Sequence, residues 1–424
     1  MSTCYLIERL IEYIRIIIID GDRAMANIAV LGYGTVGSGV VEVINTNQAI
    51  VDKNAGESVN VKYVLDLRDF PGDPVEKILV HDFDTILNDP EVSVVVEVMG
   101  GVEPAYTFVK KCLLAGKSVC TSNKALVADK GPELIQIARD KNINFFFEAS
   151  VGGGIPIIRP LNMCLTADQI MEISGILNGT TNYMLTKMSE EGWEFDEALK
   201  TAQDLGYAER NPEADIEGFD ACRKIAILTS LYTGKNVNFE KIYTEGITKI
   251  SATDIKYAKA LGLAIKLIAS SKRVGDNICS MVSPMMLAKT HPLYNVSDVF
   301  NAVFVSGNVL GDIMFYGSGA GKLPTASAVV SDIVAAVSNK NNVYVEWSAE
   351  DLKIADVGTV ERKFFVRVKG TDLSEAKSLF GDIEAVNADG VDGETGFVTG
   401  CMSEKEFNEK YSKLTGAITR IRMN

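Results

Sequence analysis

The residues best suited to chemistry lie in one short segment, from Glu209 to Lys224, which reads ERNPEADIEGFDACRK. It gathers carboxylates and cations around a turn that leads into a helix. From Gly218 onward the pattern is helical, so Asp220 and Lys224 stand four residues apart on one helix face. An acid and an amine then point the same way, which makes this segment the best candidate for a catalytic site.

Glu209 and Asp215 precede that helix in polar sequence interrupted by Pro212, which is typical of a loop able to fold over the helix face. The alternative is the solvated, charged start of a surface helix, because charged residues are usually exposed and pairs of this spacing are common on helix surfaces. The segment alone leaves both interpretations open.

A glycine-rich turn near the start of the chain indicates a nucleotide site. An apolar strand at residues 27–31 meets the turn GYGTVG, and an apolar-periodic helix follows at residues 36–44. In this context Gly32 permits the tight turn, Gly34 lets backbone N–H groups approach a pyrophosphate, and Gly37 allows close helix packing. Glycine-rich strand ends also occur as plain turns. The predicted cofactor-binding residues here are Gly32, Gly34, Thr35, Val36 and Gly37.

The next predicted strand, residues 61–65, ends at Asp66, where an acid can hold the adenosine ribose hydroxyls and favour NAD. Arg68 lies two residues on and can meet a 2′-phosphate, which leaves NADP open. In the alternative interpretation, Asp66 and Arg68 simply pair with each other in a loop.

Strands and helices continue to alternate, which predicts a parallel sheet with right-handed crossovers. The further strands are expected at residues 92–98, 118–121 and 143–147, and the helices at residues 104–115 and 130–140. Functional residues are expected where strands end. Gly100 lies where the nicotinamide half of a cofactor can pass, and Lys124 can grip an anion or be an ordinary surface lysine.

The composition is that of a globular protein of 424 residues with 47% hydrophobic and 23% charged residues, enough for two or three domains. A net charge of −14 argues against nucleic acid and against an anionic membrane surface as partners. The seven cysteines include no C-x-x-C pair and no signal peptide is found, so we expect reduced thiols and a cytoplasmic protein.

Residues 1–24 differ in character from the rest of the chain. Their apolar run, residues 16–19, is too short and too closely preceded by charges for a membrane span or a secretory signal. Because a strand begins directly after Met25, we interpret Met25 as the natural start and residues 1–24 as an extension from an upstream start assignment. The intact mass of the protein made from its own gene tests this, and a full-length species would refute it.

Two further segments are rich in polar backbone or side-chain groups. The turn SVGGGIP, residues 150–156, follows Glu148. Its backbone carbonyls can converge on a hard cation, or the turn is only a domain hinge. The segment SGILNGTTN, residues 174–182, joins a strand to a helix. Its hydroxyls and amides can bind a polar substrate, or Thr180 can cap the helix.

Taken together, these motifs resemble homoserine dehydrogenase from Met25 to about residue 345. The matching segments are GYGTVG, VVVEVMGG, SNKALVA, FEASVGGGIPI, SGILNGTTNYM, YAERNPEADIEGFDACRK and GSGAGKLPTASAVVSD. The resemblance implies reduction of L-aspartate 4-semialdehyde to L-homoserine with NADH or NADPH, toward threonine, methionine and isoleucine. Because no kinase-like domain precedes residue 25, it is the monofunctional enzyme that the chain resembles.

The resemblance also implies which residues act. Lys224 would exchange the proton at the substrate oxygen, Lys124 would lie beside the nicotinamide and the reacting carbon, and Glu209 would bind the substrate amino group. The other implied site residues are Asp215, Asp220, Gly175 and Thr180 at the substrate, Gly321 near the cofactor, and Glu148, Val151, Gly153 and Ile155 around a structural sodium ion.

The chemistry of lysine agrees with these roles. Hydride added to an aldehyde carbon leaves charge on oxygen, which a nearby ammonium can stabilise and protonate. Burial and a second lysine would lower the pKa of Lys224 from its ordinary value of about 10.4, whereas Asp220 would oppose that change. The sequence does not fix the balance.

The fold class expected is α/β, with a Rossmann-type doubly wound sheet and an α+β substrate domain. Residues 25–150 would bind NAD(P), residues 151–316 would bind substrate and form a dimer interface, and residues 317–345 would return to the nucleotide domain. By resemblance, the partners are the small-molecule substrate and further copies of the chain in a homodimer or homotetramer.

The tail, residues 361–424, is expected to be a separate unit of βαββαβ order that resembles an ACT regulatory domain. Strands are predicted at residues 363–369, 383–388, 396–401 and 417–422, and helices at residues 373–380 and 404–414. The first strand–helix turn, GTDLS, lacks the acidic residue followed by Pro-Gly that ACT domains use to bind amino acids. We therefore expect a role in assembly and no inhibition by threonine.

Two other functional classes stay open. A related two-domain oxidoreductase acting on another amino-acid aldehyde would share the glycine turn but would not need residues 209–224 in this form. A non-catalytic amino-acid sensor would keep the tail and lose Lys124 or Lys224, yet both lysines are present.

Overall fold

The structure is a computed structural model that describes residues 25–338 and 345–424. The expectation about residues 1–24 lies outside the described residues. The chain divides into two compact units. Unit 1 comprises residues 25–123, Leu134–Phe147 and residues 326–338, and unit 2 comprises Lys124–Glu133, Glu148–Thr325 and residues 345–424.

Unit 1 is built on a parallel sheet. Its strands are β1 (Met25–Leu31), β2 (Ser58–Leu65), β3 (Leu79–Val80), β4 (Val92–Glu97), β5 (Ser118–Thr121) and β6 (Phe145–Phe146). They lie in the order β3-β2-β1-β4-β5-β6, and every pair is parallel. The central strand β1 is buried on both faces, as a near-continuous apolar run requires. This is the strand order of a doubly wound dinucleotide-binding sheet, so the predicted Rossmann-like fold is confirmed.

The first helices alternate with these strands: α1 (Thr35–Thr46), α2 (Gln48–Ala55), α3 (Phe83–Leu87), α4 (Ala105–Leu114) and α5 (Lys124–Asp140). The short helix α2 was not predicted. The predicted start of α5 was wrong by six residues, because Pro132 lies inside this helix and normally indicates a helix start. Lys124 is therefore the first residue of a helix.

Unit 2 contains a long mixed sheet. Its strands are β7 (Ile170–Ile176), β8 (Tyr243–Thr244), β9 (Leu263–Val274), β10 (Asn277–Ala288), β11 (Phe300–Gly307), β12 (Gly311–Ser318), β13 (Glu361–Arg362), β14 (Phe364–Lys369), β15 (Ile383–Val386), β16 (Glu394–Thr399), β17 (Met402–Ser403) and β18 (Ala417–Met423). The main sheet runs β12-β11-β7-β9-β10-β18-β14-β16-β15, β8 also pairs with β10, and β13 pairs with β17 separately.

Helices pack on this sheet and carry the candidate site. They are α6 (Ala149–Gly152), α7 (Gly179–Glu190), α8 (Phe195–Asp204), α9 (Glu213–Ile216), α10 (Phe219–Thr233), α11 (Ala252–Ala260), α12 (Lys322–Ser338), α13 (Ser374–Phe380) and α14 (Glu404–Tyr411). Helix α10 packs against β7, β9 and β10, which places its charged first turns beside the end of β7.

The tail, which we call the C-terminal module (residues 364–423), has the predicted order of strands and helices, with the short β17 added. It has its own core, in which the rings of Phe364 and Phe407 stack with centroids 3.8 Å apart. The expectation of a separate unit was wrong, because β18 pairs in parallel with β10 and residues 345–424 belong to unit 2. This pairing covers an edge that would otherwise expose unpaired backbone groups.

Two other domain boundaries also differ from those expected from the sequence. Residues 317–325 belong to unit 2, and the return to unit 1 begins only at Ala326. The first part of α5, Lys124–Glu133, likewise groups with unit 2, where the indole of Trp347 lies 3.0 Å from a Cβ placed on Gly131. The helix that starts at Lys124 is thereby fastened to the unit that carries Asp220 and Lys224.

Candidate active site

Helix α10 presents Asp220 and Lys224 inward. Gly218, with φ of +83°, forms the left-handed N-cap that turns the chain into this helix. Asp220 is 3% exposed and Lys224 is 8% exposed. The alternative of a solvated surface helix is therefore wrong, since the pair is almost completely buried.

Asp220 lies between two lysines. Its Oδ1 is 2.6 Å from the Nζ of Lys124, and its Oδ2 is 2.8 Å from the Nζ of Lys224. The Lys124 side chain is 43% exposed, whereas the Lys224 side chain is 10% exposed. One buried carboxylate thus orients two ammonium groups that differ in their access to solvent.

Two residues at the end of β7 complete this cluster, and their role was missed from the sequence. The Nδ2 of Asn178 donates to the Oδ1 of Asp215 at 2.7 Å and to the Oδ2 of Asp220 at 2.9 Å. The Nζ of Lys224 donates to the carbonyl of Leu177 at 2.7 Å. An Asn between a strand and a helix was the available signal, but its partners lie 37 and 42 residues away.

The pKa values of the two lysines are shifted in opposite directions. Burial lowers the pKa of Lys224, the charge of Lys124 adds to that effect, and Asp220 only partly opposes it. Burial also acts to lower the pKa of Lys124, but the charge and hydrogen bond of Asp220 outweigh it and the net pKa is raised. Lys224 is therefore the easier of the two to deprotonate.

The carboxyl groups of the cluster differ as well. Burial acts to raise the pKa of Asp220, but the two ammonium groups outweigh it and hold that pKa well below its usual range. Burial and the neighbouring charge of Asp220 raise the pKa of Asp215. Asp220 is consequently the permanent anion of the cluster.

The structure separates Glu209 from this cluster. Glu209 is exposed, and within the described residues its carboxylate has no hydrogen bond or ion pair. Its backbone carbonyl accepts a hydrogen bond from the Nε2 of Gln203 at 3.1 Å. The Glu209 carboxylate is thus available to a ligand.

Thr180 and Gly175 each have a structural role. The hydroxyl of Thr180 donates to the carbonyl of Tyr207 at 2.6 Å, so it tethers the loop before Glu209. The alternative that Thr180 caps the helix was wrong, because Asn178 is the N-cap of α7. Gly175 lies within β7, where a Cβ would be 2.6 Å from the carbonyl oxygen of Ala302. A glycine is needed there for strand packing.

The glycine turn in unit 1 has the geometry that a pyrophosphate needs. Gly32 has φ of +99°, and a Cβ on Gly37 would lie 1.9 Å from the carbonyl oxygen of Gly32. Around Gly34, in contrast, no described atom lies within 4 Å of a Cβ. Helix α1 starts there with Thr35 exposed, without a side-chain cap or an acidic residue in its first turn. Its N–H groups therefore face open space, as phosphate binding at a helix N-terminus requires.

Asp66 and Arg68 pair at the end of β2. The Arg68 Nε and Nη2 each lie 2.9 Å from an Asp66 oxygen, and Asp66 also accepts from the backbone N–H of Tyr33 at 2.8 Å. Chiefly through the Arg68 hydrogen bond, the pKa of Asp66 falls well below its usual range. The side chain of Arg68 remains 62% exposed. The pairing expected in the alternative interpretation exists, and the guanidinium is still open to a ligand.

The loop after β4 carries Gly100, another glycine predicted to be near a cofactor. Gly100 has φ of +84°, in the left-handed region that favours glycine. The buried Glu97 holds this loop, accepting from the N–H of Met99 at 2.8 Å and the hydroxyl of Thr121 at 2.6 Å. Glu97 was missed from the sequence because the Thr121 hydroxyl that it binds lies 24 residues away. Gly321, with φ of +116°, belongs to unit 2 and precedes helix α12.

The turn predicted to hold sodium is helical at α6 and tightly built. The carboxylate of Glu148 accepts from the N–H groups of Ile157, Ile158 and Arg159 at 2.6, 2.7 and 2.8 Å. Val151, Gly153 and Ile155 are buried, and no hydrogen bond described for residues 25–338 or 345–424 reaches their carbonyl oxygens. Buried, unused carbonyl oxygens are the donor set that a hard monovalent cation takes.

Membrane-spanning helices and side-chain metal clusters are not found in the part of the chain that the structure describes. No helix among residues 25–338 and 345–424 is long and apolar enough to cross a membrane. Within the same residues, no three side chains of His, Cys, Asp or Glu come together as metal ligands.

Comparison with known families gives two matches that together span most of the chain. The family model described as homoserine dehydrogenase, NAD binding domain, matches residues 32–148. The family model described as homoserine dehydrogenase matches residues 156–334. The first range contains the glycine turn and Lys124, and the second contains Asp220 and Lys224.

Curated relatives and solved structures give the same result. The chain is 45% identical to a homoserine dehydrogenase of Synechocystis sp., covering 72% of each chain. It is 40% identical to that of Lactococcus lactis, covering 82% of this chain and 83% of the relative. A homoserine dehydrogenase crystal structure from Thiobacillus denitrificans superposes with a TM-score of 0.86 at 33% identity, covering 95% and 99% of the two chains. A hyperthermophilic archaeal homoserine dehydrogenase in complex with NADPH superposes with a TM-score of 0.63 at 29% identity, covering 76% of this chain and all of that one.

Proposed function

The chain belongs to the homoserine dehydrogenase family, the NAD(P)-dependent enzymes that interconvert L-aspartate 4-semialdehyde and L-homoserine, and we propose that Lys224 carries the proton of this reaction while Lys124 supplies a fixed positive charge. The observation that carries this proposal is the shared carboxylate of Asp220, which holds both ammonium groups in one place. Two lysines with pKa values pushed in opposite directions indicate two different roles.

The hydrogen bonds of Lys224 leave room for a substrate oxygen. An ammonium has three N–H donors. Two are used by the carbonyl of Leu177 and by Asp220, at 2.7 and 2.8 Å. The third can donate to the alkoxide that forms when hydride adds to the aldehyde carbon, so the C–O⁻ group becomes the hydroxyl of homoserine and Lys224 becomes a neutral amine.

In the direction of homoserine oxidation the same step runs backward. Neutral Lys224 accepts the hydroxyl proton while hydride leaves the carbon for the oxidised cofactor. Burial lowers the pKa of Lys224, so the neutral amine is accessible at a lower pH than for an ordinary lysine. Lys124, whose pKa is raised, stays charged and stabilises the developing oxygen charge in both directions.

Substrate specificity tests this assignment of function. Purified protein should reduce NAD or NADP with L-homoserine as the alcohol, and should be at least about 100-fold less active with 4-hydroxybutyrate, which lacks the amino group. Comparable rates with both alcohols would refute recognition of the amino group and favour the alternative of an oxidoreductase with another substrate.

For the cofactor we propose that the turn from Gly32 to Gly37 holds the pyrophosphate and that Asp66 and Arg68 meet the adenosine ribose. Support comes from the open space at Gly34 and from the exposed guanidinium of Arg68. The oxidised or reduced nicotinamide supplies the hydride chemistry. If Arg68 meets a 2′-phosphate, Arg68→Gln should raise KM for NADP by about tenfold and leave KM for NAD unchanged. Equal changes for both cofactors would refute this.

We also propose that the carbonyl oxygens of Glu148, Val151, Gly153 and Ile155 bind a sodium ion that braces unit 2. The fit rests on the burial of Val151, Gly153 and Ile155, whose carbonyls accept no hydrogen bond described for residues 25–338 or 345–424, in a turn fixed by the Glu148 carboxylate. A rise in the thermal midpoint in sodium chloride relative to choline chloride at equal ionic strength is expected. Identical midpoints would contradict the site.

The C-terminal module is proposed to act in assembly, as an ACT-like domain without an effector. In its first turn, Asp372 accepts hydrogen bonds from the N–H and hydroxyl of Ser374 at 2.9 and 2.5 Å, so this carboxylate is used within its own turn. Millimolar threonine should therefore leave the initial rate unchanged. Inhibition lost on truncation near residue 360 would overturn this role.

We further propose that the protein is a homodimer or homotetramer in the cytoplasm. The outer strand β12 exposes Met314 and Tyr316 by 41% and 54%, apolar surface of the kind that subunit contacts cover. The six cysteines described are free thiols, as expected in a reducing compartment. Light scattering after size exclusion tests the assembly, and a monomer at micromolar concentration would contradict it.

A further inference from the structure

A second buried charge cluster lies where the C-terminal module joins the rest of unit 2. Arg422, in β18, is 1% exposed, and its Nε lies 3.1 and 3.0 Å from the two carboxylate oxygens of Glu404. Its Nη1 donates to the Oε2 of Glu245 at 2.6 Å. A guanidinium buried this completely requires such carboxylate partners. Glu404 belongs to the module, whereas Glu245 lies far upstream in the chain.

Glu245 is held from several directions. The hydroxyl of Tyr243 donates to its Oε2 at 2.9 Å, and Arg420 Nη1 lies 3.6 Å away. Its backbone N–H donates to the carbonyl of Val282 in β10 at 2.8 Å. Although burial acts to raise the pKa of Glu245, the arginines Arg422 and Arg420 hold it below its ordinary value. The carboxylate is therefore ionised and fixed in place.

The next residue, Gly246, touches the turn that leads into the active-site helix. A Cβ on Gly246 would lie 2.1 Å from the carbonyl oxygen of Ile216 and 2.4 Å from the Cα of Glu217. The N–H of Ile247 donates to the same Ile216 carbonyl at 2.8 Å. The backbone of residues 245–247 and the backbone of this turn are thus in direct contact, with no side chain between them.

That turn connects the two carboxylates of the site. Ile216, Glu217 and Gly218 separate Asp215 from the start of α10, where Asp220 lies. One amide group, that of Asn178, donates to both carboxylates, so their spacing must match the reach of a single side chain. A displacement of the turn would change that spacing.

We infer that Glu245 is a positioning residue for the reaction: Arg422 of the C-terminal strand fixes its carboxylate, and the segment so fixed holds the turn that sets Asp215 against Asp220. This inference rests on the proposed function, and on the place at the substrate that the family resemblance implies for Asp215. It gives the C-terminal module a direct part in the geometry of the substrate site.

Glu245→Ala is the central test variant. It leaves Arg422 paired with Glu404, so no charge is left buried alone. We expect KM for homoserine to rise about tenfold, with kcat within about threefold of the parent and KM for the cofactor unchanged. Glu245→Gln keeps an acceptor for Tyr243 and Arg422 and should recover most of the loss. Glu240→Gln, at an exposed position in the same region, is the matched control and should behave as the parent.

A double-mutant cycle with Asp215→Asn separates this inference from the role of Asp215 itself. Asp215→Asn should raise KM for homoserine. The double variant should be little worse than Asp215→Asn alone, because both changes disturb the same placement of the Asp215 carboxylate against Asp220. If Asp215→Asn leaves KM unchanged, the substrate role of Asp215 is wrong and the inference falls with it. If Asp215→Asn raises KM while Glu245→Ala has parent kinetics, or if the two effects multiply, only the inference is overturned. If Glu245→Ala has lower thermal stability but parent kinetics, the contact is merely structural and the inference is also overturned.

Discussion

The ammonium groups of Lys124 and Lys224 hold opposite oxygens of one carboxylate, that of Asp220, at 2.6 and 2.8 Å. Their two positive charges are thereby kept close together in a mostly buried place. Burial and the charge of Lys124 lower the pKa of Lys224, the more buried of the two lysines. The pKa of Lys124, the more exposed one, is raised, so Lys124 keeps its proton. In the proposed mechanism, this difference makes one of two chemically identical side chains the proton carrier and the other the permanent cation.

The pH dependence of homoserine oxidation follows from this arrangement. In the proposed mechanism the reaction needs neutral Lys224, so we expect the rate to rise with pH through the pKa of that residue. Asp220 stabilises the ammonium form, and its removal must therefore lower the pKa further. In Asp220→Asn we expect a lower maximal rate and a midpoint of the kcat/KM profile shifted toward acid.

Lys124→Gln gives the opposite shift and serves as the matched variant. The charge of Lys124 lowers the pKa of Lys224, so its loss should move the midpoint toward alkaline pH. Lys124→Arg should restore the parent midpoint. Shifts of the same sign in Asp220→Asn and Lys124→Gln would be incompatible with Lys224 as the titrating base.

The glycine turn allows binding and folding to be tested separately. A Cβ on Gly34 meets open space, so Gly34→Ala should fold with a parent thermal midpoint while KM for the cofactor rises at least about tenfold, because the methyl group takes the place of the pyrophosphate. A Cβ on Gly37 would lie 1.9 Å from the carbonyl of Gly32, so Gly37→Ala should lose about 3 kcal/mol or more of stability. Thermal denaturation and cofactor titration of both variants check this. A Gly34→Ala variant with parent cofactor affinity would show that the pyrophosphate binds elsewhere.

We propose that Glu209 recognises the substrate amino group. Its carboxylate is exposed and has no partner among the described residues, so Glu209→Gln removes a charge without breaking a contact. We expect KM for homoserine to rise about 10- to 100-fold, with KM for the cofactor and the thermal midpoint unchanged. Steady-state kinetics of Glu209→Gln beside Glu213→Gln, which removes an exposed carboxylate at the start of α9, measure this. Equal KM values for the two variants would exclude Glu209 from the substrate site.

The parts of the fold and site that the sequence predicts are those set by local spacing. The strand, turn and helix around Gly32, Gly34 and Gly37 are found as expected, because tight turns and apolar periodicity are read over a few residues. The shared face of Asp220 and Lys224 also follows from helical spacing alone. In each case the determining residues are neighbours in the sequence.

The parts that the sequence does not predict depend on distant partners. The carbonyl of Leu177 contacts Lys224 across 47 residues, and no property of a leucine indicates such a role. The pairing of β18 with β10 joins segments more than a hundred residues apart, so a tail with its own apolar core looked like a separate unit. Buried Glu97 was overlooked for the same reason, since it accepts a hydrogen bond from the hydroxyl of Thr121, 24 residues away.

The most direct test of Lys224 as the proton carrier is the rate of homoserine oxidation by Lys224→Ala, measured with and without added methylamine. We predict a folded variant with kcat lowered by about 10³-fold, and a rate that partly returns in proportion to the concentration of free amine, because the amine replaces the missing base. Lys124→Ala should lose activity without this response. A folded Lys224→Ala variant that oxidises homoserine at close to the parent rate in the absence of amine would contradict this role.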